Sequence, residues 1–325
     1  MNTEKKPLLI LTGPTAVGKT ALSIQLAKAV GGEIVSADSM QVYRHMDVGS
    51  AKVTKEEMEG IPHYLIDILE PQEDFNVVTF QTLALQAMNE IYSHGNIPII
   101  TGGTGFYIQA LLYDIDFKEN DEKNPIREEL EQLAKDLGEK ASEVLHEKLS
   151  QIDPEAAKQI HANNIKRVIR AIEYFEQTGE KISGHNEEMR QKESPYNFLY
   201  YVLTRDRKTL YERIDRRVDI MMENGLVDEV KKLKAMGCHR GQTSMQGLGY
   251  KEILDYLDGS CPLEDAVYIL KRDTRHFAKR QLTWFKRERE VLWIDQSQYD
   301  GKEAILTDMI HILRQKGIID GSCII

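Results

Sequence analysis

The sequence has no apolar run approaching the roughly 20 residues that a bilayer-spanning helix requires. Residues 1–7 are polar, and Leu8-Leu9-Ile10-Leu11 after them is too short for a signal-peptide core. Membrane partners are therefore not expected, and the expected compartment is the cytoplasm. Cysteine is scarce. Cys238, Cys261 and Cys323 are scattered, odd in number and form no C-x-x-C pair. A disulfide framework and a zinc site are not expected, and the thiols read as reduced. His185, His239 and His276 also stand without metal-ligand spacing. Net positive charge is missing too: the formal charge is -10 at pH 7.

That average hides a segregation of charge. Residues 271–289 hold eight Lys or Arg against Asp273 and Glu288, and residues 204–217 hold six against three acids. Phosphate backbones respond to local potential, so an acidic chain with basic stripes remains a credible RNA binder.

What is present is the composition of a globular protein, with 41% hydrophobic and 29% charged residues over 325 positions. The first hundred residues alternate short apolar runs with helical periodicity, the signature of a parallel α/β sheet. Strands are expected at Leu8–Thr12, Glu33–Asp38, Tyr64–Leu69 and Ile97–Thr101, with helices near 19–30 and 79–93. From residue 118 to about 194 the chain turns polar and helical. Asn124-Pro125 opens one helix, and two more follow from Ile152. Strand character returns at Phe198–Leu203, followed by one long helix from about 208 to 236. Val291–Asp295 reads as a late strand, and the tail beyond Gly301 as an amphipathic helix. The expected organisation is an α/β core, residues 1–118 and 195–325, interrupted by a helical domain at 119–194.

Gly13-Pro14-Thr15-Ala16-Val17-Gly18-Lys19-Thr20 matches G-x-x-x-x-G-K-[ST] in full, between an apolar strand and a helix. Successive backbone N–H groups and a helix N-terminus make such a loop an anion cradle. Lys19 adds a point charge, and the Thr20 hydroxyl suits Mg²⁺. ATP and GTP are the usual owners of the phosphate, but their enzymes commonly carry an acid at the end of a hydrophobic strand. Here the fourth strand runs into Gly102-Gly103-Thr104-Gly105 instead, while the second ends at Asp38. In such sheets the C-terminal ends of the strands face the ligand crevice. Asp38 is thus a candidate for direct catalytic work; capping the next helix or holding a metal-bound water are its other readings.

Several segments taken in order, GPTAVGKT, ADSMQVYRHMDVGSAK at 37–52 and GGTGFYIQALL at 102–112, resemble the tRNA dimethylallyltransferase family, also called isopentenyl-tRNA transferases. IDPEAAKQIHANNIKRVIRAIE resembles its inserted domain, RDRKTLYERIDRRVDIMMENGLVDEV the helix after it, and QGLGYKE with TRHFAKRQLTWFKRE its tRNA-facing part. The resemblance spans residues 8 to 295. It implies a P-loop, nucleotide-kinase-like parallel sheet flanked by helices, with an all-helical insertion domain. It implies transfer of a dimethylallyl group from dimethylallyl diphosphate to the exocyclic amine of the adenosine 3′-adjacent to the anticodon, with Mg²⁺ as cofactor. A delocalised aromatic amine is a poor nucleophile, and the family's general base falls on Asp38. Residues 13–20, with Thr20 on the metal and Arg217 beside it, would hold the diphosphate; Arg213, one turn before Arg217, would assist.

The same resemblance assigns contact with the tRNA anticodon stem-loop to Asp38, Ser39, Met40, Gln41, Thr104, Arg127, Lys166 and Arg167. HANN at 161–164 replaces the usual HPND, and Lys166 stands where Gln is common, a departure in the detail of that contact. Arg272, Arg275, Lys279, Arg280 and Lys286 recur at helical spacings, as a stripe on RNA phosphates or an ordinary solvated face. The absence of a C-terminal zinc finger matches the bacterial form, and a monomer is expected. A small-molecule kinase would share the loop, lid and arginines but not GGTGFY or QGLGYKE. A non-catalytic RNA-binding protein would not need Asp38.

Overall fold

The computed structural model describes residues 5–117 and 124–319. They form two compact units, one of residues up to Leu112 and from Pro195 onward, the other Tyr113–Ser194. The first unit opens with strand β1 (Lys6–Thr12), helix α1 (Lys19–Val30), strand β2 (Gly32–Ala37) and the one-turn helix α2 (Lys55–Met58). Strand β3 (His63–Tyr64), helix α3 (Val77–Ser93), strand β4 (Ile97–Gly102) and helix α4 (Gly105–Leu112) follow. The second unit holds helices α5 (Pro125–Leu137), α6 (Ala141–Ile152), α7 (Pro154–Gln159), α8 (Ile165–Thr178) and α9 (Ile182–Gln191). The first unit resumes with β5 (Tyr196–Thr204), α10 (Arg207–Glu223), α11 (Leu226–Ala235), α12 (Tyr250–Leu257), α13 (Leu263–Phe285), β6 (Val291–Asp295) and α14 (Lys302–Gln315).

The six strands lie in the order β3-β2-β4-β1-β5-β6, every neighbouring pair parallel. A parallel sheet is covered on both faces, so its strands are continuous apolar runs rather than alternating ones. Leu8, Leu9, Ile10 and Leu11 of β1 are accordingly all buried, as is every residue of β2. The core joins these strands to Leu26 of α1, Ile214 of α10 and Leu313 of α14. β1 lies between β4 and β5, so the chain reverses its direction of travel across the sheet there. A ligand crevice is expected at the carboxyl ends flanking such a switch.

Two expected elements differ. The strand expected at Tyr64–Leu69 shrinks to His63–Tyr64, because Leu65 (φ 63°) and Asp67 (φ 56°) turn the chain out of the sheet. The run pairs instead with the segment after Asp38: Asp67 N donates to Gln41 O at 3.2 Å, Ile68 N to Val42 O at 2.9 Å, and Arg44 N to Leu69 O at 2.8 Å. The single helix expected over 208–236 is α10 and α11, broken at Asn224-Gly225. Gly225 adopts φ 89°, a left-handed turn that other side chains resist.

In the second unit the Asn-Pro signal works as read. Asn124 Oδ1 accepts from Ile126 N at 3.1 Å, with Pro125 in the first turn. Leu130, Leu145, Leu149, Val168, Ile169 and Ile172 form its core. Within it Glu173 is fully buried, accepting from Asn124 Nδ2 (2.8 Å), Arg127 (2.7 Å) and Arg170 (3.0 Å). Burial pushes its carboxyl up, but these three donors prevail and hold it below the ordinary carboxylate value.

Candidate active site

Four phosphate-loop carbonyls are held by side chains. Lys19 Nζ donates to Gly13 O and Pro14 O, both at 3.0 Å. Arg213 Nε donates to Ala16 O at 2.9 Å, and Gln296 Nε2 to Val17 O at 2.9 Å. Gln296 is fixed in turn by Arg205, which donates to its Oε1 at 2.7 Å. Ala16 takes a left-handed φ of 62°, which helps the loop curl back on itself. The first N–H groups of a helix lack intrahelical acceptors, so those at the start of α1 can serve an anion. Thr20 stands exposed in the first turn of α1.

Asp38 follows the last residue of β2, at the carboxyl edge of the sheet. Its Oδ1 accepts from Met40 N at 2.9 Å and Gln41 N at 3.4 Å, an Asx turn that fixes the carboxylate's orientation and leaves Oδ2 outside it. No helix begins there, so Asp38 caps none, and the turn and a catalytic role would use different oxygens. Three neighbours feel its charge. Lys19 is pulled down to about 8, by burial first and Arg217 second, with Asp38 opposing. Arg217 is lowered by burial, with Asp38 opposing and Arg213 adding to the shift. Tyr107 is pushed up to about 12 by burial and then by Asp38. Arg213, lowered mainly by burial, lies against the loop one turn before Arg217. One carboxylate and three cations therefore share the mouth of the phosphate loop.

The adjoining turns are braced by residues distant in sequence. Thr104 N donates to Ala37 O at 3.2 Å, tying the start of α4 to the residue before Asp38. Gln41 Nε2 reaches Ala51 O at 3.3 Å, and Ser39 and Met40 are half-buried beside it. Glu229 of α11 accepts from the backbone N–H groups of Asp47 (2.8 Å), Val48 (2.7 Å) and Gly49 (3.0 Å) and from the Tyr250 hydroxyl (2.9 Å). That explains QGLGYKE: Tyr250, fully buried, docks under the segment that follows Asp38.

The basic stripe of α13 divides into two faces. Arg275 pairs with Asp215 of α10 and Lys271 with Asp219 (2.5 Å), so these two tie α13 to α10. Arg272 pairs with its neighbour Asp273. Lys279 and Arg280 instead line an open depression of about 390 Å³ with His276, Thr283, Trp284 and Arg287. Lys286, just past the helix end, is exposed. In the second unit Lys166 and Arg167 are exposed, whereas Arg127 is committed to Glu173. Gln296 was missed, and Gln281, Arg205, Glu229 and Tyr250, though inside segments that carry the resemblance, were given no bracing role. Their partners lie 21 to 279 positions away, a range at which no local pattern shows the pairing.

Among the described residues no group of three His, Cys, Asp or Glu could hold a metal by itself. A Mg²⁺ ion needs little more than one hydroxyl when substrate phosphates and water complete its shell, which an exposed Thr20 beside an anion cradle fits. No helix among the described residues is long and apolar enough to cross a membrane.

Comparison with known proteins adds a family. The model of the family described as IPP transferase matches residues 41–288. A tRNA dimethylallyltransferase of Lachnoclostridium phytofermentans is 63% identical over 314 residues, covering 97% of this chain and 99% of that protein. One from Clostridioides difficile is 50% identical, over 94% and 97%. The full-length tRNA isopentenylpyrophosphate transferase of Bacillus halodurans superposes with a TM-score of 0.72 at 45% identity, over 97% of this chain and 98% of that one. A eukaryotic dimethylallyltransferase acting on tRNA gives 0.79 at 29% identity, over 96% and 80%.

Proposed function

The chain belongs to the tRNA dimethylallyltransferase family, and we propose that it carries a dimethylallyl group from dimethylallyl diphosphate to the exocyclic amine of the adenosine 3′-adjacent to the anticodon. The observation that carries the residue assignment is the shared site of Asp38, Lys19, Arg213 and Arg217 at the mouth of the phosphate loop. An allylic C–O bond breaks as the new N–C bond forms. The leaving diphosphate gains charge, which Lys19, Arg213, Arg217 and the loop N–H groups would stabilise. The amine proton goes to Asp38 and then to solvent. Its Oδ1 is held by the Met40 and Gln41 amides, so Oδ2 is the oxygen suited to take the proton.

Mg²⁺, held with the Thr20 hydroxyl, would neutralise diphosphate charge when bound. The target base must leave the anticodon-loop stack to reach an enclosed site, and Ser39, Met40, Gln41 and Thr104 line the turns beside Asp38. Lys279 and Arg280 supply cations for the RNA backbone from α13, and Lys166 and Arg167 from the second unit.

The test is transfer of label from allyl-labelled dimethylallyl diphosphate to unmodified tRNA, with Mg²⁺ and without ATP. Label should appear on an adenosine beside the anticodon. Asp38→Ala should cut turnover by about 10²–10⁴ while tRNA still binds. Full turnover in that variant would remove Asp38 as the base; ATP turnover with no transfer would make the protein a kinase.

A further inference from the structure

Gln281 lies on α13 and is buried, with 6% of its surface exposed. Both ends of its amide are in use. Oε1 accepts from the backbone N–H of Thr15 in the phosphate loop at 2.9 Å, and Nε2 donates to Gly103 O at 3.0 Å. Gly103 is required for this contact: a Cβ there would stand 2.3 Å from Nε2 and expel the amide. The next residue, Thr104, is tied through its N–H to Ala37 O, the position before Asp38. One side chain therefore spans the loop that would hold the leaving group and the turn bonded beside the carboxylate that would take the proton.

A glutamine amide suits both contacts, one end accepting and the other donating. Glutamate offers no proton to Gly103 O and sets a negative charge beside the diphosphate. Lysine and arginine cannot accept from Thr15 N–H. Asparagine is one methylene short. The same stretch of α13 carries Lys279, Arg280 and Thr283 on its open side.

We propose that Gln281 is a positioning residue of the transfer reaction: it sets the phosphate loop in register with the turn at Gly103-Thr104, and contributes to diphosphate affinity rather than to tRNA affinity. This rests on the prenyl-transfer reading of the site. Group transfer is sensitive to such register, because a displacement on the order of 1 Å between reacting groups costs about 10²-fold in rate.

The experiment compares wild type with Gln281→Met, which keeps the volume and loses both bonds, and Gln281→Glu, which keeps only the acceptor. Four quantities are measured on the full chain: the Kd of inorganic pyrophosphate with Mg²⁺ by calorimetry, the kcat and KM for dimethylallyl diphosphate at saturating tRNA, and the Kd of tRNA by filter binding. For Gln281→Met, pyrophosphate should bind about ten-fold more weakly and kcat/KM should fall about 10- to 100-fold, as expected for one or two lost hydrogen bonds. The tRNA Kd should stay within about two-fold, since Gln281 adds no charge to the RNA face. Gln281→Glu should bind pyrophosphate most weakly of the three.

Pyrophosphate affinity and kcat/KM near wild type in Gln281→Met would overturn the proposal. So would a parallel loss of pyrophosphate and tRNA affinity with a lowered melting temperature, which marks a packing residue. Should Gln281→Met fail to fold, Gln281→Glu decides by the same criteria. If wild type binds pyrophosphate but transfers nothing to tRNA, the transfer reading fails, while the pyrophosphate comparison still tests the contact between Gln281 and the loop.

Discussion

At the scale of single residues the site trades proton affinity for anion affinity. Lys19 is crowded by burial and by Arg217, and its ammonium is held to about 8, against 10.5 for an ordinary lysine. The folded value is depressed, so between about 8 and 10.5 the unfolded chain binds the extra proton and this residue's contribution to stability rises with pH. A bound diphosphate reverses the balance by favouring the charged form. Pyrophosphate binding at pH 9 should therefore be accompanied by proton uptake, read from calorimetry in buffers of different ionisation enthalpy. That uptake should be absent in Lys19→Met. Equal uptake in both proteins would mean that the proton is taken elsewhere. Asp38 illustrates a different economy, in which one oxygen builds the turn and the other is left to the chemistry.

At the scale of elements, helices carry structural and functional faces that sequence periodicity alone does not assign. On α8, Ile169 and Ile172 pack inward beside Glu173, whose carboxylate gathers Asn124, Arg127 and Arg170. Its folded value is depressed, so its stabilisation is present above the ordinary carboxylate value and is lost as pH falls through the folded one. Glu173→Gln should cost about 1.5–3 kcal/mol at pH 7. The gap to wild type, followed by denaturant unfolding from pH 7 to pH 3, should narrow on acidification; a constant gap would show that the charge is not what stabilises. Arg127→Ala should act through the same network, destabilising the second unit.

α13 makes the same point with RNA. Arg275 is tied to Asp215, whereas Lys279 and Arg280 line the open depression. Lys279→Ala with Arg280→Ala should flatten the salt dependence of tRNA binding by about one to two phosphate contacts, and Arg275→Ala by less than one. Equal slopes for the two variants would assign the stripe to surface solvation.

At the scale of the whole molecule, a chain of net charge -10 can serve a polyanion because its cations are concentrated, not because they are numerous. The distribution of that charge along the chain is written in the sequence. So are the features that depend on near neighbours: the phosphate loop between an apolar strand and a helix, the Asn124-Pro125 helix start, the continuous apolar runs of a parallel sheet, and an acid after β2. Each is set by contacts within about one turn of helix or by periodic burial, and each was legible without coordinates. The order of segments was enough to mark the family.

Only the tertiary structure decided what depends on pairs far apart. The run after Tyr64 is apolar enough for a strand, yet it leaves the sheet to pair with residues 41–44, a choice settled by the loop it meets. The helix expected through 224 breaks because one glycine can adopt a left-handed turn there. Which basic residues of α13 face outward depends on where Asp215 and Asp219 of α10 fall. The Thr15–Gln281–Gly103 bridge joins three chain segments whose separations are 266 and 178 positions. Hydrogen bonds of that range leave no periodicity behind them, because they are made only after the sheet has brought the loops together.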